Sequence, residues 1–153
     1  MNRPFIFLAL LANLLFSPLS RASELSIEDA WIREAPPVSK VQAAYMLIHN
    51  RSSDDIAITS ASSPLFTRIE FHRTEMTNGL MRMLQEDTLT IPAKGEKHLQ
   101  PDGTHMMLFN PQRPLKAGDK VPVTLRLGEH GNFAFEVTVK KAGDEAHHPH
   151  QHH

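Results

Sequence analysis

Apolar and polar residues alternate along much of this chain, with turn residues between the alternating segments. Segments 121–127 and 133–139 each place an apolar residue at every second position, and a turn at 128–132 separates them, which predicts a β-hairpin with one buried face. Other short segments with strand character lie at 27–33, 41–50, 56–59, 67–76, 80–85, 88–92 and 104–109. Because no segment shows a long helical period, we predict one all-β domain, either a β-sandwich or a Greek-key barrel.

The dipeptide Asn78-Gly79 predicts a tight hairpin in the middle of the chain, since both residues accept positive φ. A two-residue loop at this point fixes the register of the two strands, and it places Met83 diagonally across from His72, within side-chain reach of one ion. The predicted pairs are 77 with 80, 75 with 82, 74 with 83 and 72 with 85.

The two faces of this predicted hairpin differ in chemistry, because side chains alternate between faces along a strand. One face carries imidazole and thioether groups and consists of His72, Thr74, Met76, Met81, Met83 and Gln85. The opposite face carries Ile69, Phe71, Leu80 and Leu84, and we expect it to pack against the core. In the segment 104–109, His105 and Met107 are two residues apart and therefore also share a face.

Two histidines and two methionines in this pattern predict a site for a soft metal ion, with Cu(I) as the preferred cation. Thioethers are soft, neutral ligands that suit Cu(I), and imidazole suits copper in either oxidation state. The chain has no cysteine, so a blue-copper centre is excluded. A single methionine is more often a core residue and a single histidine a surface residue. The combination favours metal binding by His72, Met83, His105 and Met107.

The remaining methionines and histidines of the central region are weaker candidates. Met76 and Met81 share the predicted metal face, so each is either an auxiliary ligand or a shield for the site. Met46 and Met106 are expected in the core, and the remaining three histidines on the surface: His49 at a strand end, His98 in a turn-rich stretch, and His130 in a hairpin turn.

The C-terminal segment 142–153 has a different composition from the domain before it. It contains almost no apolar residues, which predicts disorder, yet half of the ten histidines lie in it: His147, His148, His150, His152 and His153. Histidine-rich tracts bind metals, and imidazoles without thioethers favour Cu(II), with Ni(II) and Zn(II) as competitors. Pro149 and Gln151 interrupt the tract, which favours native sequence over an expression tag.

Residues 1–22 have the pattern of a secretory signal peptide: a positive start, a short apolar run and small residues before a cleavage point. Cleavage there leaves a domain at 23–141, which we expect in the periplasm. Cleavage also removes two arginines, so the cleaved chain has 14 basic and 17 acidic residues. No basic patch indicates nucleic-acid binding, and no later segment is apolar enough to span a membrane. Because the chain has no cysteine, we expect it to have no disulfide bonds and no lipid anchor attached to a cysteine.

The ligand spacing resembles that of the PCuAC family of periplasmic copper chaperones, whose marker is His, ten residues, Met, twenty-one residues, His-x-Met. His72, Met83, His105 and Met107 match this marker without a gap, and the resemblance covers about residues 28–139. It implies a cupredoxin-like β-sandwich that binds Cu(I) near its surface. It also implies copper delivery to the dinuclear copper centre of cytochrome c oxidase, in subunit II, or a broader role in periplasmic copper supply with another copper carrier.

Three other classes of function remain open from the sequence. A copper monooxygenase is disfavoured, because it requires a histidine at the mature N-terminus, where Ser23 is expected; we therefore predict no enzymatic activity. A metal-free adaptor sandwich and a general copper-sequestering or resistance protein are the alternatives to a chaperone.

Overall fold

The computed structural model describes residues 24–143, which form an almost entirely β structure. One short 3₁₀ helix, Gly128–His130, interrupts the strands. The strands are β1 (Leu25–Arg33), β2 (Val41–Asn50), β3 (Ile56–Ile58), β4 (Ser60–Ser62), β5 (Phe66–Thr77), β6 (Leu80–Glu86), β7 (Leu89–Ile91), β8 (Glu96–Leu99), β9 (Thr104–Pro111), β10 (Lys120–Arg126) and β11 (Asn132–Lys140).

Seven of these strands close into a barrel-like sandwich. They follow the order β1-β11-β10-β4-β5-β9-β2, and β2 also pairs with β1, which closes the circuit. Strand β8 joins β2, β6 joins β5, and β3 with β7 forms a separate two-stranded sheet. Neighbours that are far apart in sequence, such as β4 and β10, require the crossovers of a Greek-key arrangement. The predicted all-β, single-domain Greek-key fold is therefore confirmed.

The core consists of the inward-facing residues of these strands. Met46 and Met106 are both buried, as predicted, and every second residue of β10 is buried from Val121 to Leu125. The largest fully buried side chains are Leu25, Ile32, Ile48, Ile56, Ile58, Leu89, Ile91, Met106, Leu108, Leu125, Val121 and Val123. With no disulfide in the chain, burial of these apolar side chains is the main favourable term in folding.

Asn50 joins three segments at the end of β2 by a buried hydrogen-bond network. Its Nδ2 donates to the backbone oxygens of Asp54, Ile91 and Pro92 at 2.8–3.0 Å, and its Oδ1 accepts from the backbone and side chain of Ser52. Because Asn50 is buried, its polar atoms depend on these protein partners for their hydrogen bonds.

The β5–β6 hairpin has the predicted register, residue by residue, from His72 opposite Gln85 to Thr77 opposite Leu80. Asn78 and Gly79 have φ of 51° and 76°, as a tight turn of this kind requires. The prediction that both leucines of β6 pack against the core is wrong, because Leu80 is 63% and Leu84 41% exposed.

The physical reason is the position of β6, which pairs with β5 and lies outside the closed circuit of seven strands. The core lies within that circuit. Six of the seven residues of β6 are therefore exposed on either face, Leu80 and Leu84 among them.

The sequence pattern also missed two short strands, β4 and β8. His98, expected in a turn-rich stretch, lies in β8, where it is exposed. The predicted signal peptide at 1–22 and the five tail histidines lie outside the described residues. Within residues 24–143, no helix is long and apolar enough to cross a membrane.

Candidate metal centre

The four predicted ligands meet on one outer face of three neighbouring strands, β6, β5 and β9. His72 lies directly opposite His105 in the β5–β9 pair, and their ring centroids are 6.3 Å apart. On β6, Met83 is opposite Thr74 and hence diagonal to His72. On β9, Met107 is two residues beyond His105 and is opposite Glu70. Two imidazoles thus lie between two thioethers.

His105 is held by a backbone carbonyl. Its side chain is on the outer face, yet the residue is only 4% exposed. Its Nδ1 lies 3.0 Å from the carbonyl oxygen of Gly103. A carbonyl oxygen only accepts, so Nδ1 is the donor and carries the hydrogen. In the neutral ring, the lone pair available to a metal is therefore on Nε2.

His72 is held by a carboxylate. Its Nε2 lies 2.9 Å from Oε2 of Glu70, and an ionised carboxylate only accepts, so Nε2 carries the hydrogen. Nδ1 of His72 is buried and has no hydrogen-bond partner. A buried nitrogen without a partner is costly, and in the neutral ring this one bears a lone pair. It is the atom of His72 that could bind a cation.

Glu70 is oriented and neutralised by a neighbouring arginine. Nε of Arg68 lies 2.6 Å from Oε1 of Glu70, so each carboxylate oxygen has its own donor, Arg68 or His72. The guanidinium of Arg68 also lies over the ring of Phe109, 4.2 Å from its centroid. Because both carboxylate oxygens are engaged and the charge is compensated, Glu70 supports His72 and leaves the ligand set neutral.

This arrangement fits a soft monovalent cation. In residues 24–143, no group of three or more His, Cys, Asp or Glu side chains could hold a metal ion. This face offers the thioethers of Met83 and Met107 beside the two imidazoles, and nitrogen with thioether ligation suits Cu(I). The geometry also agrees with a common feature of metal-binding histidines, which donate their other N–H to a carboxylate or a backbone carbonyl.

The two auxiliary methionines lie further out on the same hairpin face. Met76 is directly opposite Met81, and their exposed fractions are 67% and 69%. Neither is covered as a core residue would be. The structure therefore places both sulfurs on the side of the hairpin that carries His72 and Met83.

The other described histidines are separate from this centre and contact carboxylates. His49 lies between Glu28 and Glu96, with nitrogen–oxygen distances of 3.4 and 3.3 Å, and His130 lies 3.3 Å from Glu24. His98 contacts Glu96 at 2.9 Å, and this hydrogen bond lowers the pKa of the Glu96 carboxyl.

Sequence reasoning missed the groups that hold the two imidazoles, Glu70 and the Gly103 carbonyl. Glu70 could have been found, because it is two residues before His72 and must share its face in a strand. The carbonyl could not, since its position depends on the turn before β9.

Comparison with known proteins identifies the family of this chain. Residues 25–139 match the family described as "Putative lipoprotein LpqE-like". The chain is 31% identical, over 125 residues, to the "Putative lipoprotein Lxx21020" of Leifsonia xyli subsp. xyli (strain CTCB07), covering 81% of this chain and 74% of the relative.

Solved structures with the same fold include copper-loaded proteins. The copper-bound PCuAC domain from PmoF2 has a TM-score of 0.66 at 20% identity, covering 78% of this chain and 94% of that domain. The solution structure of CuI-DR1885 from Deinococcus radiodurans has a TM-score of 0.64 at 33% identity, covering 81% and 83%. Residues 24–143 have the fold of a PCuAC domain, and this chain belongs to the LpqE-like family.

Proposed function

We propose that this protein is a copper chaperone that binds one Cu(I) through His72, Met83, His105 and Met107 and passes it to another protein. The observation that carries the proposal is the pair of fixed imidazoles. Glu70 and the Gly103 carbonyl each accept a hydrogen bond from one ring nitrogen, which leaves Nδ1 of His72 and Nε2 of His105 with a lone pair for a metal ion. These two rings face each other across β5 and β9.

Two relatives support copper as the cargo. One solved PCuAC domain is copper-bound, and DR1885 was solved in its CuI form. DR1885 is 33% identical to this chain over most of both proteins. The proposal that this chain also carries copper rests on that likeness together with its own ligand set.

The ligand set suits transport more than permanent storage or catalysis. All four ligands are neutral, and neutral ligands hold copper less tightly than thiolates. One side of the site is buried at His105, whereas Met83 on β6 is exposed to solvent. An acceptor could therefore approach from the β6 side.

We propose subunit II of cytochrome c oxidase, with its dinuclear copper centre, as the acceptor. The PCuAC marker formed by the four residues supports this choice. Another periplasmic copper carrier is the alternative partner, and copper sequestration without delivery is the alternative function. Mixing the Cu(I)-loaded protein with the copper-free soluble domain of subunit II tests these ideas: copper transfer is expected, and retention of copper would favour sequestration.

We further propose that the chain is exported to the periplasm, with residues 1–22 as its signal peptide, and that the histidines between 147 and 153 bind Cu(II). The leader pattern supports export, as does the likeness to a relative named as a lipoprotein. Composition supports the Cu(II) proposal, because the tract has imidazoles and no thioethers.

X-ray absorption on the Cu(I)-loaded protein tests the ligand set directly. We expect sulfur and nitrogen scatterers together around one Cu(I) in the domain. Met83→Leu should remove one sulfur and weaken binding while preserving the fold, since the exchange nearly conserves volume. Met106→Leu is the matched control, because Met106 lies between two ligands but points into the core.

Two results would contradict the proposal. Only nitrogen and oxygen around Cu(I) would exclude the thioethers as ligands. Failure of the purified protein to retain Cu(I) in dialysis would favour a metal-free adaptor.

A further inference from the structure

Three thioethers lie together on the exposed end of the β5–β6 hairpin. Met76 and Met81 form a directly opposed cross-strand pair, and Met83 is the next residue on that face of β6. Directly opposed side chains in an antiparallel pair have Cβ atoms about 5 Å apart, and diagonal neighbours about 7–8 Å. All three sulfur-bearing side chains are more than half exposed. Flexible methionine side chains at these separations can reach one ion.

Between His72 and the turn, the charges of the hairpin lie on its other face. Arg73 forms ion pairs with Glu75 and Glu86 at 2.5 and 3.3 Å, and Glu75 is paired in register with Arg82. The methionine face carries no charged residue between His72 and the turn. The hairpin thus segregates neutral soft ligands from charged groups.

Packing does not account for the methionines at the tip. A methionine in a core fills gaps between other apolar groups, but Met76 and Met81 lie where β5 pairs only with β6. The arrangement is better explained by chemistry at the sulfur atoms.

We propose that Met76, Met81 and Met83 form a second, exposed Cu(I) site through which the cation enters and leaves the centre between His72 and His105. This inference rests on the proposed function. Three neutral thioethers suit Cu(I). Without imidazole, they bind it more weakly than the inner centre, which consists of His72, Met83, His105 and Met107.

Met83 belongs to both sites and allows the cation to move without being released. The bond between copper and the Met83 sulfur is kept, while bonds to Met76 and Met81 are exchanged for bonds to the two imidazoles and Met107. Copper remains Cu(I) throughout, and no proton moves, because every exchanged ligand is neutral. Release to an acceptor follows the same steps in reverse.

Titration of the full chain with Ag(I), a redox-inert substitute for Cu(I), tests the second site. Carbon-13 labelling of the methionine methyl groups makes each sulfur visible by NMR. The first equivalent should shift the methyls of Met83 and Met107, and excess Ag(I) should then shift those of Met76 and Met81. If these last two methyls stay unmoved in excess Ag(I), the second site is disproved.

Kinetics test the role as a passage. In Met76→Leu/Met81→Leu, we expect Cu(I) release to an excess of a chromogenic chelator to slow about tenfold, corresponding to about 1.4 kcal/mol in the barrier. Leu80→Ala, on the other face of the same hairpin, should release Cu(I) at the original rate. An unchanged rate in the double variant would overturn the passage.

The two proposals fail in different ways. If Met83 and Met107 do not respond to the first equivalent, the proposed function fails. If they respond and only Met76 and Met81 remain silent, the proposed function stands and this inference fails.

Discussion

Nε2 of His72 and Oε2 of Glu70 lie 2.9 Å apart on the same face of β5. This contact leaves the opposite ring nitrogen, Nδ1, buried and without a partner. The carboxylate that holds the ring is itself held by Arg68. The availability of a lone pair on His72 for the proposed Cu(I) therefore depends on Glu70, which is not one of the proposed ligands.

Removal of this carboxylate should weaken copper binding. For Glu70→Ala we expect a loss of Cu(I) affinity of about 10–100-fold, the usual effect of removing a group that orients a metal-binding histidine. Glu70→Gln should lose less, because its amide oxygen still accepts the hydrogen bond. Competition with a Cu(I) chelator measures both. Glu75→Ala is the control, since Glu75 pairs with Arg73 on the other face; an equal loss there would contradict the role of Glu70.

Acid should lower the Cu(I) affinity of the inner centre. A histidine must be neutral to bind a metal, and histidines in model peptides take up a proton near pH 6.5. Protons therefore compete with copper for His72 and His105, whereas thioethers do not titrate. We expect affinity to fall as the medium becomes more acidic, measured by chelator competition from about pH 8 to about pH 5. Constant affinity over this range would show that the imidazoles are not ligands.

Truncation after Ala142 should remove Cu(II) binding and leave Cu(I) binding in place. The five tail histidines are lost, while all four inner ligands remain. A tethered histidine cluster also raises the local copper concentration near the domain. The truncated protein should therefore load Cu(I) more slowly than the full chain when copper is limiting. Isothermal titration with each ion and a loading assay measure these effects. Undiminished Cu(II) binding after truncation would rule out the tail as a collector.

Asn50→Ala should destabilise the domain without involving copper. The substitution removes the Nδ2 donor from the buried backbone oxygen of Ile91 and the Oδ1 acceptor from the buried backbone N–H of Ser52. Unpartnered buried polar groups cost about 1–3 kcal/mol, so we expect a loss of about 3 kcal/mol in the free energy of unfolding, measured by urea denaturation. Asn132→Ala, at an exposed position of β11, is the control and should change it by less than about 0.5 kcal/mol.

The sequence alone determined the features that depend on neighbouring residues. Alternation predicted the long strands, and Asn78-Gly79 predicted every pair of the β5–β6 hairpin, because a two-residue turn sets the register of the strands it joins. The common face of His72, Met76, Met81 and Met83 follows from that register.

Only the tertiary structure decided which distant strands meet. The pairing of His72 with His105 depends on how β5 and β9 share the barrel core, and no local turn sets that register. The exposure of Leu80 and Leu84 depends on β6 lying outside the closed circuit of strands, and the hydrogen bond of His105 depends on the turn at Gly103. Local chemistry specifies a turn, but burial shared among the strands of the closed sheet specifies long-range pairing.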